Sequence, residues 1–178
     1  MHAMSITIAI FTLLAANAAI YAATGRVSET VDALAWFVLL TLFFVETRCP
    51  QWTRVPRNAI ALDLLRLIAA AAILWAAISF VREREWLDAL NAWLWIGVVA
   101  VLELEVRTPA WIQRQRRQII ALSAALYTML AGIAVAWLLQ GEWFDGYDAV
   151  LWIVAFALLE QDLLRRNSAN PSAAANNI

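Results

Sequence analysis

The sequence predicts an all-α integral membrane protein, with six transmembrane helices arranged as three tandem two-helix hairpin repeats. Three observations predict it. The 178 residues are 63% hydrophobic and only 15% charged, more apolar than soluble domains run, so too little polar sequence is left to cover a water-facing surface. A unit of long apolar helix, short polar turn and second helix recurs three times. Its second helix reads Trp36 to Glu46, Trp95 to Glu105 and Trp152 to Asp162, each with a spacing of ten residues. Recurrence at fixed spacing marks an internally repeated fold. The first two copies run on into E-x-R-x-P-x-W, as Glu46-Thr47-Arg48-Cys49-Pro50-Gln51-Trp52 and Glu105-Val106-Arg107-Thr108-Pro109-Ala110-Trp111.

Taken in order, the apolar runs place spans at 5–23, 31–45, 59–80, 87–102, 118–139 and 147–159. The first has the apolarity of a secretory signal but no basic segment ahead of it, and a similar helix opens each later unit, so it is expected to be retained. One transmembrane domain over 1–166 follows, with repeats at approximately 5–57, 58–117 and 118–166, and then a polar tail over 167–178. That tail is small, polar and nearly uncharged, the composition of a segment that builds no core.

All thirteen basic residues are arginine. Arg48, Arg54, Arg57, Arg107, Arg114, Arg116, Arg117, Arg165 and Arg166 fall on the side shared by both termini, whereas the opposite loops hold Arg26, Arg82 and Arg84. The positive-inside bias then makes both termini cytoplasmic, in a multi-pass protein of a bacterial-type inner (plasma) membrane. The other side carries Glu29, Asp32, Glu83, Glu85, Asp88, Glu142, Asp145 and Asp148, with Tyr21, Trp75, Trp86, Trp137, Trp143 and Tyr147 as an interfacial belt beside them.

The odd-numbered helices are rich in small residues. Leu14 to Tyr21 aligns with Ile68 to Trp75 and with Leu130 to Trp137; small side chains let helices approach closely, so these three are expected to line the centre. Asn17 and Asn91 are expected to hydrogen-bond between helices.

The even-numbered helices look short. From Asp32 to Glu46, Asp88 to Glu103 and Asp148 to Glu160 there are only twelve to fifteen steps, ~18–23 Å at the helical rise, against a hydrocarbon layer ~30 Å thick. An Asp at the N-terminal end is explained as a cap that also faces the positive end of the helix dipole. Glu46, Glu103, Glu105, Glu160 and Asp162 stand at the unfavourable C-terminal end and need compensation. Asp63 and Arg66 lie at a similar depth on the third helix, with Thr12 and Thr128 aligned to Arg66 on the other odd helices. A charged cluster of Glu46, Asp63, Arg66, Glu103, Glu105, Glu160 and Asp162 is therefore expected at the cytoplasmic third of the bundle. Either arginines pair with these acids and lock the hairpins in register, or the surplus carboxylates form a proton or cation site.

Absent residues exclude other chemistry. His2 is the only histidine, so no pair of intramembrane histidines can ligate haem or a metal. Without lysine no Schiff base forms, and Cys49, as the only cysteine, cannot make a disulfide within the chain. No phosphate loop or nucleophile elbow is present. No catalytic residue, cofactor or metal is expected, no nucleic acid is implied, and the protein is not expected to be an enzyme. In the two turns, Arg48, Trp52, Arg107 and Trp111 are expected to anchor at lipid headgroups or at another subunit. The expected partners are the lipid bilayer and other membrane proteins or a second copy. The expected role is a non-catalytic membrane subunit packing beside such neighbours; the alternative is a small proton or cation transporter or channel that uses the cytoplasmic carboxylates.

Overall fold

The computed structural model describes residues 2–48, 51, 55–108 and 114–169. Among them lie six helices and no strand: α1 (His2–Thr24), α2 (Val27–Arg48), α3 (Pro56–Glu83), α4 (Trp86–Arg107), α5 (Arg116–Gln140) and α6 (Trp143–Ala169). Four of these, α2 to α5, are long and apolar enough to cross a membrane, and α1 holds a shorter apolar stretch, Ile8–Thr24. Helix α6 continues as far as Ala169, into the segment read from sequence as a tail.

Each helix packs on the next in chain order, and α6 returns to α1, so the six close a ring. The middle of the ring holds one buried apolar cluster. It is filled by aromatic side chains of α2, α4 and α6: Trp36 stands 6.3 Å from Trp95 and 6.5 Å from Trp152, and Phe156 stands 4.7 Å from Trp95, ring centre to ring centre. The odd helices, expected to line the centre, share it: Ala69 and Ile73 of α3 and Leu130, Ile133, Ala134 and Trp137 of α5 belong to the same buried cluster. Leu14, Ala18 and Ala77 are likewise buried. Helix α3 also turns Leu64, Leu67, Ile68 and Trp75 outward.

Three tight turns, each of two residues, join the helices at one end: Gly25-Arg26, Arg84-Glu85 and Gly141-Glu142. Arg84 and Gly141 take the left-handed conformation, at φ 64° and 85°. That geometry lets Glu85 N–H donate to the Phe80 carbonyl at 3.0 Å and Glu142 N–H to the Trp137 carbonyl at 2.9 Å, satisfying carbonyls the helix end would leave free. Because the turns are so short, the even helices start earlier than the sequence suggested. Helix α2 begins at Val27, which puts Asp32 inside it rather than at its cap. Helices α2 and α4 are each 22 residues long, about 33 Å at the helical rise.

Glycine 146 allows α6 to leave its turn against α5: a Cβ there would lie 2.7 Å from Leu138 Cγ and 3.1 Å from the Ala134 carbonyl oxygen. Gly146→Val is expected to cost about 1–3 kcal/mol by overpacking. The readout is a thermal unfolding midpoint several degrees lower in detergent, with Gly132→Ala, where a Cβ meets nothing within 4 Å, as the control that does not lower it.

Candidate functional site

Above the three central indoles, toward the two-residue turns, the helices enclose a partly open cavity of about 60 Å³. Its lining has a regular order. Trp36, Trp95 and Trp152 form the floor. Four residues before each of them stand Asp32, Asn91 and Asp148; seven before stand Glu29, Asp88 and Asp145; fifteen before stand Tyr21, Phe80 and Trp137. Every one of these twelve side chains borders the cavity. Helical periodicity explains why: steps of four and seven return to one face, so each even helix presents an acid or amide, a second acid and an indole inward.

The partners of the five carboxylates divide them into two groups. Glu29 and Asp88 reach Arg26, which projects from the first turn: its Nε donates to Glu29 Oε1 at 2.7 Å, and its Nη2 lies 3.2 Å from Asp88 Oδ2. Arg26 also pairs with Glu85 and, at 3.8 Å, with Glu83. Burial works against its charge, but the hydrogen bonds and charges of Glu29 and Glu85 more than offset this and raise its pKa above the ordinary arginine value. Asp32, Asp145 and Asp148 face only neutral donors among the described residues. Trp36 Nε1 donates to Asp32 at 3.1 Å, Tyr21 Oη to Asp145 at 2.7 Å, and the buried Asn17 Nδ2 to Asp148 at 2.6 Å. Asn91 has its side-chain oxygen buried with no donor. The expected interhelical role therefore holds for Asn17, whereas Asn91 faces the cavity.

At the opposite end the predicted charged cluster is found in part. Arg66 pairs across to Glu46 on α2 and, at 3.1 Å, with Asp63 one turn before it on α3. This trio lies on the outer face, with Asp63 73% exposed, and not inside the bundle. Glu103 is exposed on α4. Thr12 and Thr128 donate to the carbonyls of Ile8 and Ala124 on their own helices and face outward. The side chains of Glu105, Glu160, Asp162, Arg48 and Arg107 lie outside the described residues, as do Trp52 and Trp111 entirely.

Sequence reasoning treated the acids near the turns as caps and interfacial charges and so missed the chamber. The signal was present. Counting back from the three tryptophans aligns an acid with an acid at seven residues and Asp or Asn at four. The alignment of the odd helices was displaced by five residues in the second unit: Trp75 is exposed, and Phe80 is the buried residue that joins Tyr21 and Trp137 at the chamber. That displacement is also what paired Arg66 with the two threonines.

No protein-family model, curated protein or solved structure matches this chain.

Removing the Asn17 donor leaves Asp148 short of its closest hydrogen bond. Asn17→Ala is expected to cost about 1.5–3 kcal/mol, the range for a bond to a charged group. In the background of Asp148→Asn the same change costs less, so a double-mutant cycle followed by reversible unfolding in mixed micelles should return a coupling of about 1 kcal/mol or more. Additive effects would show the contact to be energetically silent.

Proposed function

We propose that this chain is a six-span integral membrane protein, built as three tandem hairpins with both termini cytoplasmic in a bacterial-type inner membrane, that takes a small cation into the acidic chamber from the opposite side. One observation carries the reading: five carboxylates border one cavity, and among the described residues the guanidinium paired with two of them, Arg26, is shared with two further acids outside. Charges withdrawn from water need partners, and here the protein supplies too few. A cation entering from the turn side completes the pairing.

The repeat and the six crossings are supported by the matched positions along α2, α4 and α6 and by the chain-order ring. The cytoplasmic placement of the termini is supported by the distribution of arginines. The chamber ends on the Trp36, Trp95 and Trp152 floor, which packs with Leu94, Val98, Leu130 and Ile133 in one apolar cluster. Uptake is thus one-sided in this conformation, and transport requires the indole layer to part. The carboxylates that do the binding are those by the turns, not the cytoplasmic set first considered.

A packing role beside other membrane proteins is the second reading, favoured by Trp75, Trp86, Trp93 and Trp143, four outward-facing indoles suited to anchoring a neighbour. The two roles are compatible. A stoichiometric companion in native purification would establish the second without removing the first.

Two measurements test the proposal. With Cys49 replaced by serine, a cysteine at Gly141 should react with an impermeant maleimide from outside intact cells, and one at Arg117 only after lysis; the reverse pattern would invert the topology. In detergent, a cation that occupies the chamber stabilises the fold by about 2.7 kcal/mol at a hundredfold excess over its Kd. A panel of chloride salts at constant ionic strength should therefore include at least one with a saturable rise in unfolding midpoint. Asp32→Asn combined with Asp148→Asn should abolish that rise, and a panel without any saturable member would sink the idea.

A further inference from the structure

Resting on the reading that the chamber takes a cation, we infer that its ligand is a small protonated alkylamine rather than an inorganic ion. The chamber walls divide by chemistry. The cavity is bordered by carboxylates and by the aromatic rings of Trp36, Trp95, Trp152, Trp137 and Phe80. A metal ion stripped of water needs several oxygen ligands converging at short range, and among the described residues no group of three or more acid, histidine or cysteine side chains is arranged to hold one. If the ion kept its water, its hydration shell would lie against indole carbon, which offers it little in return.

An alkylammonium ion uses both surfaces at once. Its charge is met by the carboxylates above and by the electron-rich faces of the indoles below, and its carbons fill the apolar part. The side-chain oxygen of Asn91 gives the decisive detail, being a buried acceptor on the chamber wall with no donor. Buried acceptors are nearly always paired. An N–H arriving with the ligand supplies the missing partner, which a quaternary ammonium cannot do. Size agrees: the cavity measures about 60 Å³, and a water needs about 10–15 Å³ on this scale, so about four to six heavy atoms fit. Trimethylammonium has four heavy atoms and one N–H.

The test is isothermal titration of the purified full-length protein in detergent with trimethylammonium, tetramethylammonium, sodium, potassium and calcium chlorides at constant ionic strength. Trimethylammonium is expected to bind saturably, at least tenfold tighter than tetramethylammonium and than each inorganic ion. Asn91→Leu should erase the preference over tetramethylammonium, and Asp148→Asn should weaken both amines by tenfold or more, with helical circular dichroism and unfolding midpoint showing that each variant is folded. Inorganic cations binding as tightly as trimethylammonium would overturn the ligand class while leaving the cation chamber standing. Equal binding of the two amines would overturn the role of Asn91, and with it the proposal that an N–H is recognised. If no cation binds at all, the chamber reading falls together with its ligand.

Discussion

A ring of six helices leaves a hole along its axis, and the filling of that hole governs the rest of this structure. Small side chains of α1, α3 and α5 draw neighbouring helices together, while Tyr21, Phe80 and Trp137 of the same helices border the cavity. On the even helices Trp36, Trp95 and Trp152 meet in the middle with Phe156. Since each indole stands on an even helix at the same distance from its turn, the plug forms one layer at one depth. Between that layer and the turns a cavity of about 60 Å³ is left. The packing solution and the site are thus two consequences of one residue type at one register.

The turns determine what fills the chamber. Two residues are the least that can reverse these helices, and with so little slack the first two helical turns after each reversal are brought inward together. Those turns carry Glu29 and Asp32, Asp88 and Asn91, Asp145 and Asp148. Like charges brought this close would repel strongly in a medium of low dielectric. The structure relieves the strain by different means at each position: Arg26 serves Glu29 and Asp88, Tyr21 serves Asp145, Trp36 serves Asp32, and Asn17 serves Asp148. Neutral donors moderate a charge without cancelling it. Stability and ligand affinity draw on the same unbalanced charge here, because a fully paired chamber would attract no cation.

Much of the fold could be read from the chain, and the reasons differ by element. The number of helices and their order followed from apolar runs and from the Trp36, Trp95 and Trp152 spacing, which survives translation into three dimensions because helical rise is nearly constant. The boundaries of α2 and α6 did not, since Ser28, Glu29, Thr30 and Asp145 look like turn residues until Glu29 and Asp145 are seen to border the chamber. Asp63, Arg66 and Glu46 were legible as a group because each is a charge placed near the end of an apolar run. Their outward orientation was not, since the rotation of α3 about its own axis is set by Ala69, Ile73 and Ala77 packing inward, a feature that emerges only when the neighbours are in place. The chamber acids were hidden by a plausible local explanation. An aspartate near a helix start satisfies capping rules so readily that nothing in one dimension prompts a second role.

The matched positions are most informative where they differ. Along the indole layer all three members agree, as a plug requires. At the level above, Asn91 replaces what is an aspartate in the other two, and at the turn Arg26 stands where Glu85 and Glu142 are acids. Both departures lower the negative charge, and both fall near Asp88, the carboxylate that Arg26 holds. The remaining unpaired acids, Asp32, Asp145 and Asp148, belong to α2 and α6, which flank α1 in the ring. A uniform ring of acids would bind a cation on the axis with no preferred direction. This arrangement instead places Asp32 and Asp148 on one side and a buried amide oxygen on the other, so a cation taken up as proposed would be drawn off the axis toward the two aspartates. Departure from equivalence among the matched positions is therefore where the proposed site would acquire a direction.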